Sequence, residues 1–259
     1  MEIINKIYNE DCLVGMAKIP DKSVDCIICD LPYGTTACKW DSVIPFEPLW
    51  KQYKRVRKDN CPIILFGSEP FSSYLRMSNI KEFRYDWIWQ KNIPGNFQLA
   101  KKNPLKFHEI ISVFYKDFPT YHNTELKKLK KVKRHYTIQN TDTVVKQWAG
   151  NSWTSEFGNY NRSILCYRNK ESVKKYMHPT QKPVDLIRYL IRTYTNPGDL
   201  VLDNCMGSGT TAIAAMREGR NFIGFELEEK YYDICLKRIE EEKDYVEEKK
   251  SEPVPNTLF

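Results

Sequence analysis

The chain has 259 residues, of which 41 % are hydrophobic and 13 % aromatic, so we expect one sizeable α/β core with a smaller appendage rather than a disordered protein. No apolar run approaches the roughly 20 residues that a bilayer-spanning helix needs, and the beginning, MEIINKIYNEDCL, resembles neither a signal nor a transit peptide. A cytoplasmic location is therefore the expectation, and the net charge of +7 points only weakly to a polyanionic partner.

Short apolar runs alternate with amphipathic stretches along the chain, a pattern typical of a mostly parallel sheet covered by helices. Two of the runs, VDCIIC at 24–29 and PIILF at 62–66, are almost continuously apolar, as strands buried on both faces must be. The predicted strands are residues 3–8, 24–29, 62–66, 85–89, 110–115, 200–202 and 222–225.

Helices are predicted between these strands, where apolar residues recur at helical spacing. They cover residues 46–56, 71–75, 184–194 and 210–218. Pro183 suits the first turn of the third helix, which Asn196-Pro197-Gly198 ends, and Gly219 closes the last.

The eight cysteines predict buried thiols rather than disulfides or a metal site. Cys26, Cys29, Cys61 and Cys205 lie in or beside apolar runs, where free cysteine behaves as a small hydrophobic residue. Cys26 and Cys29 form a CxxC, but no second CxxC or CxxH lies at the spacing of a zinc site. We therefore predict no bound metal.

Residues 200–211 read LVLDNCMGSGTT, which predicts a strand, a glycine turn and the start of a helix. Glycines let the backbone approach a ligand closely, and a helix N-terminus offers unpaired N–H groups to a carboxylate or phosphate. Glu226 lies 19 residues beyond Gly207, at the end of the next predicted strand, where a ribose-binding carboxylate belongs in a Rossmann-type half. Taken alone, the turn fits NAD, S-adenosylmethionine or a purely structural role, and the lack of a following Lys-Ser/Thr excludes a Walker P-loop.

A second motif, DLPYG at 30–34, directly follows the predicted strand 24–29, and α/β sheets bind ligands at the carboxyl ends of parallel strands. The turn would bring together the Asp30 carboxylate, a backbone carbonyl near Leu31 and Pro32, and the Tyr33 ring. Two acceptors suit an aromatic amine, because they favour a pyramidal nitrogen and stabilise the positive charge that forms during methyl transfer. Tyr33 would stack on a base that has left the duplex. On its own, the motif fits an Asx-type turn beside a buried tyrosine better.

Together, the two motifs resemble those of the β-class amino-DNA methyltransferases, the N6-adenine and N4-cytosine family of DNA methylases. That class carries a D/N/S-P-P-Y/F/W catalytic motif before its glycine-rich cofactor motif, and this chain has DLPY at 30–33 and DNCMGSGTT at 203–211, in that order. HPTQKP at 178–183, and YNEDCL at 8–13 followed by SVD at 23–25, match two further segments of the family. The resemblance covers about residues 1–116 and 177–240.

The resemblance implies the circularly permuted, Rossmann-like α/β fold of S-adenosylmethionine-dependent methyltransferases, with a seven-stranded, mostly parallel sheet that contains one antiparallel strand. Strands 85–89 and 110–115 would form a hairpin at one edge. S-adenosylmethionine would be the cofactor, and adenine N6 the target. Cytosine N4 is the alternative, although that branch usually has serine where Asp30 stands.

The resemblance also assigns roles to residues. The implied catalytic residues are Asp30, Pro32 and Tyr33. Asp11 would contact the adenine of the cofactor and Glu226 its ribose, with Lys182 near its carboxylate; a solvated lysine at a helix start is the alternative for Lys182. The full predicted cofactor-binding set is Asp11, Cys12, Asp30, Lys182, Asp203, Gly207, Ser208, Gly209, Thr210 and Glu226.

The chain departs from the family pattern at two points. Leu31 replaces the usual first proline of the catalytic motif, which would loosen the turn. Asn204-Cys205 replaces the commoner Pro-Phe, which removes an aromatic neighbour of the cofactor. Phe66 or Phe225 would supply that surface, unless both are core residues at strand ends.

The stretch from Lys116 to Tyr176 interrupts the alternation of strands and helices, because it is polar, basic and without a clear period. Between Lys116 and His135 it has seven Lys or Arg residues and two acidic ones. We interpret it as an inserted target-recognition segment, partly mobile without its partner, that contacts phosphates; a solvated charged face is the alternative. The predicted DNA-binding residues are Lys127, Lys128, Lys130, Lys131, Lys133 and Arg134.

Double-stranded DNA is therefore the expected partner, and the alternatives are methylation of RNA or protein and a catalytically inactive DNA-binding relative. A homodimer and a cognate restriction endonuclease stay open as further partners. The predicted organisation is a catalytic half at 1–116, the recognition insert at 117–176, a cofactor-binding half at 177–249 and a frayed tail at 250–259.

Overall fold

The computed structural model describes residues 4–35, 41–136, 152–168 and 181–251. The chain folds as two compact units, one formed by Met1–His122 with Ser163–Phe259 and the other by Asn123–Arg162. The larger unit contains a mixed sheet with helices on both faces, and the smaller unit contains a two-stranded sheet. Within the described ranges, no helix combines the length and the apolar character that a membrane crossing requires.

Ten strands are present in the described residues. Their bounds are β1 Lys6–Tyr8, β2 Cys26–Cys29, β3 Ile63–Gly67, β4 Phe83–Gln90, β5 His108–Phe114, β6 Lys127–Tyr136, β7 Ser152–Gly158, β8 Ile164–Cys166, β9 Leu200–Asp203 and β10 Asn221–Phe225. The sheet of the larger unit has the order β1-β10-β9-β2-β3-β5-β4-β8. All its neighbouring strands are parallel except that β5 runs antiparallel to both β3 and β4.

The prediction of a mostly parallel, Rossmann-like α/β sheet with one antiparallel strand is confirmed. The predicted number of seven strands is too low by one in the described residues, because β8 pairs in parallel with β4. As a result, the β4–β5 hairpin does not form the edge of the sheet. In β8 only Leu165 is buried, so this short strand leaves no apolar run that the sequence could reveal.

Six α-helices cover the two faces of the sheet in the described residues. Their bounds are α1 Cys12–Met16, α2 Phe46–Val56, α3 Phe71–Ser78, α4 Val184–Tyr194, α5 Thr210–Arg217 and α6 Glu229–Ser251. Side chains alternate between the faces along each strand. Ile28 and Ile64 therefore pack with α4, α5 and α6, whereas Ile27 and Ile63 pack with α1, α2 and α3.

The predicted helices 46–56 and 184–194 are confirmed to the residue, although Pro183 caps α4 instead of lying in its first turn. Gly219, with φ of +67°, follows α5 as predicted. Helix α6 continues to Ser251, two residues into the stretch interpreted as a tail, and residues 252–259 lie outside the described ranges. The thiols of Cys26, Cys29 and Cys61 are free and buried, as predicted.

In the smaller unit, β6 and β7 form an antiparallel ribbon whose pairing runs from Lys127–Gly158 to Tyr136–Ser152. The sequence pattern predicts no strand in this part of the insert, which we interpret only as a segment without a clear period. Both strands are polar and expose residues such as Lys128 and Phe157, so neither shows the alternation of a half-buried strand. Residues 137–151 and 169–176 of the predicted insert lie outside the described ranges.

Candidate active site

The two predicted motifs lie at the carboxyl ends of neighbouring strands. Strand β2 ends one residue before Asp30, and it pairs with β9, which ends at Asp203. A cavity of about 1140 Å³ opens at this edge of the sheet. The predicted residues that line it are Asp11, Cys12, Asp30, Pro32, Tyr33, Lys182, Asp203, Gly207, Ser208, Thr210 and Glu226. The fold therefore brings the two motifs, 170 residues apart in sequence, into one cavity.

Both carboxylate oxygens of Asp30 accept hydrogen bonds from side chains. The Tyr33 hydroxyl donates to Oδ1 at 2.6 Å, and the Lys182 ammonium donates to Oδ2 at 2.5 Å. These contacts differ from an Asx turn, which a backbone amide would close. The Tyr33 ring lies against Phe71, with the ring centroids 5.0 Å apart and the planes at 29°. Tyr33 is thus held at the wall of the cavity by its hydroxyl and by one ring face.

Lys182 belongs to a cluster of four charged side chains. Its Nζ lies 3.3 Å from Glu109 Oε2, and Glu109 Oε1 in turn accepts from Lys91 Nζ at 3.0 Å. Lys182 is only 8 % exposed, so the alternative of a solvated lysine at a helix start is wrong. Sequence reasoning missed Glu109 and Lys91, because a charged residue at a strand end looks like one that faces water.

The ionisation of this cluster follows from burial and from the pairing of charges. Burial raises the pKa of the Asp30 carboxyl, and the Lys182 ammonium opposes that shift. Burial acts to lower the pKa of Lys182, but the Asp30 and Glu109 carboxylates outweigh it and raise the value to about 12. Burial acts to raise the pKa of Glu109, yet Lys182 and Lys91 hold it below its usual value. Asp30 is therefore the carboxylate in the cluster that depends most on its cation.

The glycine turn that follows β9 has the backbone conformation that glycine permits. Gly207 and Gly209 have φ of +54° and +84°, and Gly209 caps the N-terminus of α5. A Cβ on Gly207 would meet no atom within 4 Å, whereas one on Gly209 would lie 2.5 Å from Cys235 Sγ of α6. Gly209 is therefore needed for the packing of α6. Its predicted contact with a cofactor stays a prediction, since the cavity is lined by its neighbours.

Glu226 follows β10 and turns back to the glycine turn. Its Oε2 accepts from the Gly207 amide at 2.7 Å, and its Oε1 accepts from the Glu228 amide at 2.9 Å. Burial raises the pKa of this carboxyl. Asp203 is buried next to the turn, where it accepts from Thr211 Oγ1 at 2.6 Å, and burial raises its pKa to about 6. Two carboxylates therefore face the glycine turn from the ends of adjacent strands.

Asp11 and Ser208, two further predicted cofactor residues that line the cavity, are held by hydrogen bonds. Asp11 caps α1 by accepting from the amides of Leu13 and Val14 at 2.8 and 3.2 Å. Ser208 is buried, and its hydroxyl accepts from Arg238 Nη1 at 2.9 Å.

Of the two aromatic candidates for the cofactor's neighbour, Phe66 lines the cavity, and the centroid of its ring lies 5.3 Å from Lys182 Nζ. Phe225 packs in the core. In the HPTQKP segment, residues 178–180 lie outside the described ranges.

The predicted DNA-binding residues all lie on β6 of the smaller unit. Lys127, Lys128 and Lys130 are exposed. For Lys131, Lys133 and Arg134 the structure describes the course of the strand but not the side chains.

Comparisons with known proteins agree with this geometry. The family model described as DNA methylase, for N6 and N4 methyltransferases, matches residues 24–237. The type II methyltransferase M1.MboII of Moraxella bovis is 31 % identical over 259 residues, which cover 88 % of this chain and 94 % of that protein.

Solved structures are similar over almost the whole chain. A crystal structure of M1.HpyAVI in complex with SAM has a TM-score of 0.61 at 25 % identity, over 90 % of this chain and 98 % of that one. The cytosine-N4-specific PvuII DNA methyltransferase has a TM-score of 0.65 at 18 % identity, over 93 % of this chain and 91 % of that one, a likeness of fold.

Proposed function

The chain belongs to the N6/N4 DNA methylase family and uses S-adenosylmethionine, and we propose that it methylates N6 of adenine in double-stranded DNA after the target base has swung out of the helix. The observation that carries this proposal is the Asp30 carboxylate beside the Tyr33 ring, in the same cavity as the glycine turn. One end of the cavity offers acceptors and an aromatic face to a base, and the other offers a cradle for a cofactor.

The cofactor cradle is proposed from the residues that line the cavity around the turn. Gly207 presents open space above its Cα, which allows a ligand to approach the backbone. The Glu226 carboxylate, already held by two amides, would accept further hydrogen bonds from the ribose hydroxyls. Asp11, Cys12, Asp203, Ser208 and Thr210 complete the lining. S-adenosylmethionine bound there would supply a methyl group on a positively charged sulfur.

Asp30 is one of two hydrogen-bond acceptors in the proposed transfer. Its carboxylate accepts one N–H of the adenine amino group, and a backbone carbonyl of the DLPY turn accepts the other. Both acceptors would stabilise the positive charge that grows on the nitrogen as the N–C bond forms and the bond between the methyl group and the sulfur breaks, with the neutral thioether as leaving group. The extra proton on the nitrogen would then pass to the Asp30 carboxylate and on to solvent. The Asp30 carboxylate must be ionised to do this, and the Lys182 ammonium favours the ionised form by opposing the rise in pKa that burial causes. The contacts of Lys182 thus favour a role as the counterion of Asp30 over the predicted place beside the cofactor's carboxylate.

Adenine is proposed over cytosine because aspartate stands at position 30, where the cytosine branch of the family usually has serine. The test is to incubate unmethylated genomic DNA with methyl-labelled S-adenosylmethionine, digest the DNA to nucleosides and identify the labelled product. N6-methyladenine is expected, and N4-methylcytosine would assign the chain to the other branch. Label in RNA or protein in parallel reactions would assign the chain to a substrate other than DNA. Cofactor binding without methyl transfer would indicate an inactive relative.

The Asp30→Asn and Asp30→Ala variants test the catalytic assignment in the same assay. Loss of one preorganised charge-stabilising group costs about a hundred- to a thousand-fold in rate. The Asn variant is the matched control for shape, because its amide oxygen still accepts from Tyr33. Calorimetry should find cofactor affinity nearly unchanged in both. Turnover near the parent rate in either variant would overturn the role of Asp30.

The exposed lysines of β6 are proposed to contact DNA phosphates. In a Lys128→Gln, Lys130→Gln double variant, the slope of log K against log salt should fall by about two units, one for each lost phosphate contact. An unchanged slope would favour a solvated face. A cognate restriction endonuclease and a homodimer stay predictions.

A further inference from the structure

Residues 91–107 connect β4 to β5 at the edge of the sheet where Asp30 lies. Strand β4 has the same direction as β2, so its end at Gln90 faces the same side as the end of β2. The base of the connection belongs to the cavity, because Lys91 and Gly95 line it together with Asp30. The connection therefore begins at the wall of the cavity.

The connection is an ordered hairpin. At its base the Lys91 amide donates to the Phe107 carbonyl at 2.7 Å, and one step further the Gly95 amide donates to the Lys106 carbonyl at 3.3 Å. The Asn96 side chain ties the two arms, since its Oδ1 accepts from the Lys106 amide at 2.7 Å. A 3₁₀ turn at Phe97–Leu99 forms the tip. The tip is thus presented on a hydrogen-bonded stem.

The surface of this hairpin combines an exposed aromatic ring with positive charge. Phe97 is 72 % exposed at the first position of the 3₁₀ turn. The 17 residues of the hairpin contain four lysines and no acidic residue. Two of these, Lys101 and Lys102, are exposed directly after the tip, whereas Lys91 is paired with Glu109 in the cavity wall. Apolar groups on an exposed, basic tip point to a partner with stacked rings and negative charge.

We propose that this hairpin is a DNA-contacting element, in which Phe97 packs against the bases next to the flipped target and Lys101 and Lys102 contact the adjacent phosphates. The inference rests on the proposed function, because it requires duplex DNA at the cavity. Proteins that open a duplex commonly insert an apolar side chain into the stack, and base–aromatic stacking tolerates any sequence. The element is distinct from the basic strand β6, which belongs to the smaller unit.

Phe97→Ala and Phe97→Trp test the aromatic contact by the kcat/KM for duplex DNA and the KM for S-adenosylmethionine. Stacking on one base predicts a loss of about 5- to 150-fold in kcat/KM for the alanine variant, with the cofactor's KM unchanged. Tryptophan should restore most of it. Phe118→Ala is the matched control: Phe118 is 87 % exposed but lies beyond β5, at the opposite edge of the sheet.

The charge contact is tested with Lys101→Gln, Lys102→Gln, by fluorescence anisotropy of a labelled duplex at several salt concentrations. The slope of log K against log salt should fall by about one to two units. The control is Lys54→Gln, Lys81→Gln, which removes the same charge from exposed positions that precede β3 and β4. Sedimentation checks the alternative that the tip joins two copies of the chain.

Each outcome decides between the two proposals. If the parent transfers methyl groups to DNA and the hairpin variants match their controls, the inference about the hairpin is wrong and the proposed function stands. If the alanine variant alters the oligomeric state, the hairpin is an interface between copies, and the inference is again wrong. If the parent transfers no methyl group to DNA, the proposed function is wrong, and the inference about the hairpin, which rests on it, is wrong as well.

Discussion

Replacing Lys182 with methionine removes the cation on which Asp30 depends and keeps an unbranched side chain that is one atom shorter. In the parent, Nζ lies 2.5 Å from Asp30 Oδ2 and 3.3 Å from Glu109 Oε2, with 9 % of the side chain exposed. Lys182 Nζ also lies 5.3 Å from the centroid of the Phe66 ring, so the variant loses this cation–π contact together with the ion pairs. Glu109 retains Lys91, whereas Asp30 keeps only the Tyr33 hydroxyl.

The loss of stability in Lys182→Met has an upper bound, and it depends on pH. At 2.5 Å and an effective dielectric constant of about 20, the Coulomb attraction is about 7 kcal/mol, most of which offsets the desolvation of the two ions. Removal of one partner of a buried pair typically destabilises a protein by about 3–5 kcal/mol. Asp30 can avoid that cost by binding a proton, since burial already raises its pKa and only the hydrogen bond from the Tyr33 hydroxyl then opposes the shift.

The direction of the pH dependence follows from the number of protons that the folded and the unfolded states bind. In the variant, the folded-state pKa of Asp30 rises further above that of the unfolded chain, so the folded variant binds a proton that the unfolded chain has released. The loss of unfolding free energy relative to the parent is therefore smallest at low pH, and above the pH at which Asp30 ionises in the parent it grows by at most about 1.4 kcal/mol per pH unit until Asp30 ionises in the variant as well.

Urea unfolding of the parent and of Lys182→Met between about pH 5 and pH 8 measures this deficit. Lys182→Arg is the control that keeps the charge, and adding Asp30→Asn to Lys182→Met should remove the pH dependence. The acid limb of the methyl-transfer rate should move to higher pH in Lys182→Met, because protonated Asp30 accepts poorly. A deficit that is equal at all pH values would refute the argument and give Lys182 a packing role.

Two further predictions concern the cofactor turn. Gly209→Ala should lower the melting temperature far more than Gly207→Ala, because both residues have positive φ but only Gly209 would place a Cβ 2.5 Å from Cys235 Sγ. Similar losses, measured by calorimetry, would contradict this. Asp203→Asn should stabilise the protein by about 3 kcal/mol at pH 8 and by little at pH 4. The pKa of Asp203 is about 6 in the folded protein and about 4 in the unfolded chain, so ionisation of Asp203 destabilises the folded parent at high pH. This cost disappears as the pH falls from about 6 to about 4, because Asp203 then binds a proton. Urea unfolding at both pH values checks it, and a gain equal at the two would contradict it.

The sequence predicts those parts of the fold whose residues are buried on both sides. The runs that form β2 and β3 have only buried residues, and the predicted strands therefore end within two residues of the observed ones. Strand β8 has one buried residue and exists because β4 offers it a partner, which no local pattern can encode. The ribbon of β6 and β7 is missed for the same reason, since each strand is stabilised by the other.

The residues of the site also differ in whether the sequence predicts them. Asp30, Tyr33 and Glu226 follow strands and belong to motifs with fixed spacing, so the sequence predicts that they meet. Glu109 and Lys91 come from the antiparallel pair β4 and β5, and only the tertiary fold brings them to Lys182. The glycine at 209 was predicted from ligand contact, but the structure gives a packing reason that depends on a helix far along the chain.

Each oxygen of Asp30 already accepts one hydrogen bond, and an incoming amino group that takes the place of a donor would displace the one that is held less strongly. A hydrogen bond to a charged group contributes about 1.5–3 kcal/mol, and separation of the buried pair with Lys182 costs about 3–5 kcal/mol. Of the two donors, the Tyr33 hydroxyl at 2.6 Å therefore costs less to displace than the Lys182 ammonium. Tyr33→Phe should then keep the methyl-transfer rate within about tenfold of the parent, because the ring remains, whereas Tyr33→Ala should lose about 5- to 150-fold through the lost stacking. Equal losses in the two variants would place the function in the hydroxyl and refute this order of exchange.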